Sequence, residues 1–181
     1  MKRSIGLAFI VAAALAAACT NKQGETEQPV TITVDLQDQA GLTNINPDRT
    51  ITIPTMVLQS RLKNPDASNP AGFADVQLNQ YVVHYHRNDG GTRVPPDQVF
   101  AAGHHLETPG TVTLTDFPVL SQTALAGTPF NQLLPFNGGI DQETGSNEIR
   151  LLYDVTFFGQ TVSGQRVQSE TATGIRIFFF E

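Results

Sequence analysis

The sequence predicts an all-β fold: a single antiparallel β-sandwich of about seven strands, with one short helix near 128–135. Three observations predict it. Runs such as VTITVDL and EIRLLYDVTFF alternate apolar with polar residues at period two, the pattern of a strand with one buried face. Turn formers separate these runs, since the chain holds 15 Gly and 11 Pro, many of them in segments such as NPDASNPAG and NGGIDQETGSN. No stretch between the runs has the helical period and length that a parallel crossover requires.

The first 18 residues read as an export signal. Lys2 and Arg3 precede an apolar run over residues 5–15, and small residues fill 16–18. That run is too short for a membrane-spanning helix, which needs about 20 apolar residues. Cys19, the only cysteine, follows at once. The segment LAAAC resembles the lipobox of bacterial lipoproteins, whose cysteine becomes the acylated first residue of the mature chain; Ala16 stands where that family prefers leucine, with Leu15 one step earlier. The resemblance implies lipidation at Cys19 and, with Thr20 instead of aspartate after it, residence in the outer membrane. The alternative is an ordinary Ala-x-Ala cleavage site that leaves Cys19 near the cut. Each buried CH₂ contributes about 0.8 kcal/mol, so two or more acyl chains hold firmly where one does not. Residues 20–28, TNKQGETEQ, are polar and aperiodic. They read as a tether that reaches at most about 30 Å extended and about 16 Å as a coil. The organisation expected is therefore a signal peptide at 1–18, an acylated cysteine with its tether at 19–28, and the sandwich at 29–181.

Charge narrows the partners. The whole chain has a net charge of −6. Removing Lys2 and Arg3 leaves nine of the 11 basic residues against 17 acidic ones, a net charge of −8. Such a chain repels nucleic-acid phosphates, so no nucleic-acid partner is expected. Anionic lipid repels it as well, so membrane attachment must come from the acyl chains. With one cysteine and no intrachain partner for it, the fold stands on apolar packing alone.

The elements follow in order. In VTITVDL, Val30, Ile32, Val34 and Leu36 share a face. A turn-rich loop, DQAGLTNINPDR, leads to TITIPTMVLQSRLK, where Pro54 lacks a ladder donor and predicts a break or an edge position. In DVQLNQYVVHYHR, Val76 and Leu78 have one parity and Tyr81, Val83 and Tyr85 the other, which predicts a bulge near Asn79 and Gln80. Asp89-Gly90-Gly91 marks a reversal. A poorly periodic segment, VPPDQVFAAGHHLETPG, leads to the strand TVTLTDFPVL. Thr128-Pro129 before FNQLL reads as the capped start of the short helix, ended by Pro135. Ile149, Leu151, Tyr153, Val155 and Phe157 share a face of the next strand. Val167, Thr171, Thr173, Ile175, Ile177 and Phe179 share a parity in the last run, and the two runs form the longest hairpin, joined through GQTVSGQ.

The pattern YVVHY, followed by LLYDVTFFGQTVSGQRV, resembles the penultimate and last strands of immunoglobulin-like bacterial lipoproteins. That likeness implies an immunoglobulin- or fibronectin-like topology, while the missing Cys-Trp-Cys set excludes an antibody-type domain. An eight-stranded outer-membrane barrel fits the length, but the long turns on both sides, the broken third run and the final Glu181 argue against it.

Groups able to carry chemistry are few. His84 and His86 lie two apart on a strand and share a face. With His104, His105 or Glu107 they are the candidate ligands for zinc or copper; otherwise they are solvated side chains opposite a core face. Ser60 and Lys63 match S-x-x-K, yet on a strand they point to opposite faces, and no Lys-Thr-Gly follows. Asp141, Glu143, Asn147 and Glu148 offer oxygen ligands without calcium-loop spacing, and an acidic solvated turn explains them. Tyr81, Tyr85, Phe157 and Phe158 are core aromatics or the wall of a glycan groove. Phe178 and Phe180 either belong to a strand buried on both faces or mark a partner surface. No catalytic residue and no cofactor site emerges. The expected function is a non-enzymatic, lipid-anchored module of the cell envelope that binds other envelope proteins through loops 88–110 and 121–147. The alternatives are a histidine-based metal carrier or hydrolase, and a cell-wall glycan-binding module.

Overall fold

The computed structural model describes residues 28–37, 40–45 and 49–180. The export signal, Cys19 and all of the tether but Gln28 lie outside the described residues. Nine strands run through the described residues: β1 (Val30–Leu36), β2 (Ala40–Asn44), β3 (Ile51–Leu62), β4 (Val76–Arg87), β5 (Gln98–Leu106), β6 (Gly110–Leu120), β7 (Glu148–Thr161), β8 (Arg166–Gln168) and β9 (Ala172–Phe179). They form two sheets. One has the order β1-β3-β6, and the other β2-β9-β7-β4-β5, with β8 also paired to β7. The pairs β1-β3-β6 opposite β9-β7-β4 have the strand order of an immunoglobulin-type sandwich, and β2 and β5 extend the second sheet at its two edges.

The pleat decides which side chains reach the interior. Val76, Leu78, Tyr81, Val83 and Tyr85 of β4 are all buried, although their parity switches. The switch is the expected bulge: the register of β4 against both β5 and β7 slips between Leu78 and Gln80. Gly159 faces that bulge. A Cβ there would lie 2.3 Å from the Gln77 carbonyl oxygen, so only glycine lets β7 approach so closely. Pro54 sits beyond the last β1 partner, since the β1–β3 ladder ends at Leu36 opposite Met56; its missing donor therefore costs β1 nothing. On β7, Ile149, Leu151, Tyr153, Val155 and Phe157 all face the core, as the period-two pattern predicts.

Tyrosines tie the two sheets together. Tyr81 Oη donates to the Pro118 carbonyl at 2.6 Å and Tyr85 Oη to the Val119 carbonyl at 2.5 Å, both on β6 of the opposite sheet. Burial raises both phenol pKa values, so these groups remain donors at any physiological pH. Around Tyr81 stand Phe117, Phe100 and Phe157, with ring centroids at 4.2, 5.1 and 5.3 Å. This aromatic cluster does the packing work for which antibody-type domains use a tryptophan and a disulfide.

Four expectations need correction. The strands number nine among the described residues, because β2 lies within the loop after β1, β5 lies within the poorly periodic segment, and β8 is a separate short strand. One pair, β2 with β9, is parallel, so the sandwich is not wholly antiparallel. The helix expected at 128–135 is instead two 3-10 turns, at Phe130–Leu133 and Pro135–Asn137. A one-turn helix, α1 (Gln122–Leu125), lies earlier, where Ser121 accepts the Ala124 N–H at 3.3 Å. Finally, β9 turns its other parity to the core. Ala172, Gly174 and Phe178 are buried there, with the Phe178 ring tilted against Phe130 at 4.5 Å, whereas Ile175, Ile177 and Phe179 are only half-buried. The register explains the choice: Gly174 lies directly opposite the inward-facing Tyr153 and so shares its face, and because the Tyr153 ring crosses the space where a Gly174 Cβ would stand, the position carries no side chain.

Candidate functional site

Strand directions separate the molecule into two ends. One end holds residues 28–29, the loop 63–75 and the turns 107–109 and 162–165; the other holds the segments 88–97 and 121–147 and residue 180. The second end is the candidate binding surface, and it is built on one buried cation. At the end of β4, the Arg87 side chain is 1% exposed. Its Nε donates to Asp89 Oδ1 at 2.7 Å, and its Nη2 to Asp89 Oδ2 and Asp141 Oδ2, both at 2.8 Å. Asp141, itself fully buried, also accepts from Thr144 N–H at 3.1 Å and Thr144 Oγ1 at 2.7 Å. Asp89 accepts the Gly91 and Arg150 N–H groups at 3.1 and 2.8 Å. Glu143 completes the lock by accepting Thr92 N–H and Oγ1 and Arg93 N–H at 2.7–2.8 Å. Two loops more than 50 residues apart in sequence are thus fastened to each other and to the sheet.

The electrostatics balance around the cation. Burial acts to lower the Arg87 pKa, but hydrogen bonds and charge from Asp89 and Asp141 outweigh it and the net shift is upward. Burial likewise pushes the Asp89 and Asp141 carboxyls up, and Arg87 with the surrounding donors holds both below the ordinary carboxylate value. Hydrogen bonds from Thr92 and Arg93 hold Glu143 down as well. The acidic loop is therefore not merely a solvated turn: Asp141 is structural, and the sequence shows no local sign of it.

On this fixed frame stand apolar side chains with no cover. Phe136 is 81% exposed, Ile140 47%, Phe180 41% and Val94 38%. Between the start of β5 and α1 lies an open groove of about 590 Å³, lined by Pro96, Val99, Phe100, Thr123, Ala124 and Thr128.

The histidines fall into two groups. His84 and His86 share the outer face of β4, their rings 4.5 Å apart, and each is hydrogen-bonded to its own carboxylate: His84 Nδ1 to Asp97 at 2.5 Å and His86 Nε2 to Asp154 at 2.7 Å. His104 and His105 lie on β5 opposite Leu78 and Gln77, about 20 Å along the sheet from His84 at the usual strand rise. Being consecutive, they point to opposite faces, His104 towards Phe117 and His105 towards Asp75. The structure brings His84 and His86 together but does not bring the four imidazoles to one point. Among the described residues no group of three or more His, Cys, Asp or Glu side chains is placed to hold a metal ion.

Other expected sites resolve into structure. Ser60 is buried and its hydroxyl donates to the Glu107 carbonyl, while Lys63 is exposed, so the S-x-x-K pattern assembles nothing. Tyr81, Tyr85 and Phe157 are core, and only Phe158 of the four aromatics is half-exposed, so they line no groove. Phe178 is core and Phe180 is exposed. Among the described residues no helix is long and apolar enough to cross a membrane. The chain matches no family model, no curated protein and no solved structure.

Proposed function

We propose that this chain is a lipid-anchored module of a bacterial cell envelope, held in the outer membrane through acylated Cys19, that binds other envelope proteins without catalysing a reaction. One observation carries the reading. Large apolar side chains, led by Phe136, are exposed on two loops that a buried ion network fastens to each other, and an apolar surface on a tied scaffold is what a protein partner recognises at low entropic cost. Hot spots in such surfaces are aromatic, centrally placed and sensitive to charge. The LAAAC segment with its lone cysteine supports the anchor.

Site-specific photocrosslinking in intact cells tests the reading. A crosslinker at Ile140 should capture a discrete protein, and adding Phe136→Asp should reduce capture about tenfold or more, the loss expected for a hot-spot residue. A crosslinker at Ala101, on the outer face of the sheet, should capture none. Equal capture at both positions, or indifference to Phe136→Asp, would refute the loop end as the binding surface.

A further inference from the structure

We propose that the opposite end of the sandwich rests on the bilayer surface, with Phe73 and Val162 as the side chains that enter the lipid; this rests on the lipid-anchor reading above. The chain enters the fold at that end, where the Pro29 carbonyl accepts the Lys63 N–H at 2.9 Å. Phe73 is 54% and Val162 57% exposed. They belong to two loops joined by hydrogen bonds, Ser163 N–H to the Phe73 carbonyl at 3.2 Å and Val162 N–H to the Asp75 carbonyl at 2.8 Å, so the two apolar groups are presented together. The first loop is itself held: Asn69 Oδ1 accepts the Ala74 N–H at 2.9 Å and Asn69 Nδ2 donates to the Thr108 carbonyl at 2.7 Å. Phe73, Pro29 and Lys63 also line one cavity of about 310 Å³, which puts the apolar loop beside the start of the domain.

Length and charge select the occupant. Nine residues separate Cys19 from Pro29, a reach of at most about 30 Å. The 12-residue strand β3 spans about 40 Å between the two ends. An acylated Cys19 therefore keeps the Phe73 end at the membrane, and the tether is too short to bring the Phe136 end there. Charge opposes the contact only weakly. The chain as a whole is acidic, yet at this end Arg61, Lys63 and Arg166 stand against Asp66, Asp75, Glu107 and Glu170, a net charge of −1. Two exposed apolar side chains on a surface of nearly balanced charge beside an acyl anchor fit the headgroup–acyl boundary of a bilayer, where apolar groups sink about 5–10 Å.

The chain contains no tryptophan, so a single introduced indole reports its own position. Full-length acylated protein carrying Phe73→Trp, Val162→Trp or Phe136→Trp would be reconstituted into phosphatidylethanolamine–phosphatidylglycerol vesicles with and without brominated acyl chains. The proposal expects brominated lipid to quench the emission of the Phe73→Trp and Val162→Trp proteins and to leave the Phe136→Trp protein unchanged. If the proteins float with the vesicles and neither of the first two is quenched, the contact is refuted while the anchor stands. If they do not float and their mass shows an unmodified cysteine, the anchor reading fails and the contact with it.

Discussion

Replacing Arg87 with methionine is expected to lower the unfolding free energy by about 3–5 kcal/mol, the cost of leaving a buried charge without its partner. The reason is local. Asp141 is fully buried, Asp89 is 11% exposed, and the guanidinium that binds both is 1% exposed, so water cannot replace the donors that Asp141 loses. Urea titration at pH 7 reads the loss. Arg87→Met combined with Asp141→Leu should recover part of it, because an apolar pair of similar volume avoids the uncompensated charge. The pH dependence distinguishes this cause from lost packing. In the native protein the Asp89 and Asp141 carboxyls are held below their ordinary value, so their contribution is fully present above the unfolded pKa of about 4 and is lost as pH falls through the lower folded values. In the variant the orphaned carboxyls are instead pushed up by burial, and acidification relieves their penalty. The gap between native and variant protein should therefore narrow as pH falls from 7 towards 4. A gap that stays constant would mean that Arg87 acts through packing alone.

The second large effect belongs to the core. Phe157 is fully buried and its ring lies 5.3 Å from Tyr81 and 5.4 Å from Phe117. Phe157→Ala empties the centre of the cluster that joins the sheets, and the cavity together with the lost transfer energy should cost about 3–5 kcal/mol. For a domain of this size that lowers the melting temperature by roughly 6–20 °C. Phe158→Ala, one residue on and facing outward, should cost much less. Comparable losses at both positions would contradict the assigned parity of β7.

The strand faces that period two could decide were legible from sequence. β1, β4 and β7 alternate cleanly, and even the β4 bulge followed from the parity switch between Leu78 and Tyr81. β9 was not legible in this way. Ile175, Ile177 and Phe179 are more apolar than Ala172, Gly174 and Arg176, but the inward face is set by the register with β7, which puts Gly174 opposite Tyr153, a fact of tertiary pairing. β5 escaped because Ala101, Ala102, Gly103 and the two histidines give no alternation, although its pairing with β4 makes it a strand. β2 is short and paired in parallel with β9, and parallel pairing leaves no hairpin signal in the sequence. The site divides similarly. Segments 88–110 and 121–147 read as loops, although β5 occupies Gln98–Leu106 of the first, and the ion pair between Arg87 and Asp141 spans 54 positions with no local pattern to record it. The histidine pair could be read as a pair, whereas its separation from His104 and His105 depends on strand register.

The most direct measurement is amide hydrogen exchange at Thr92, Arg93 and Thr144, whose N–H groups donate to Glu143 and Asp141. A pre-built binding platform requires these loop amides to be protected to a degree comparable with the strand amides of β7 and to lose that protection in Arg87→Met. Exchange in the native protein as fast as in an unstructured loop would contradict it.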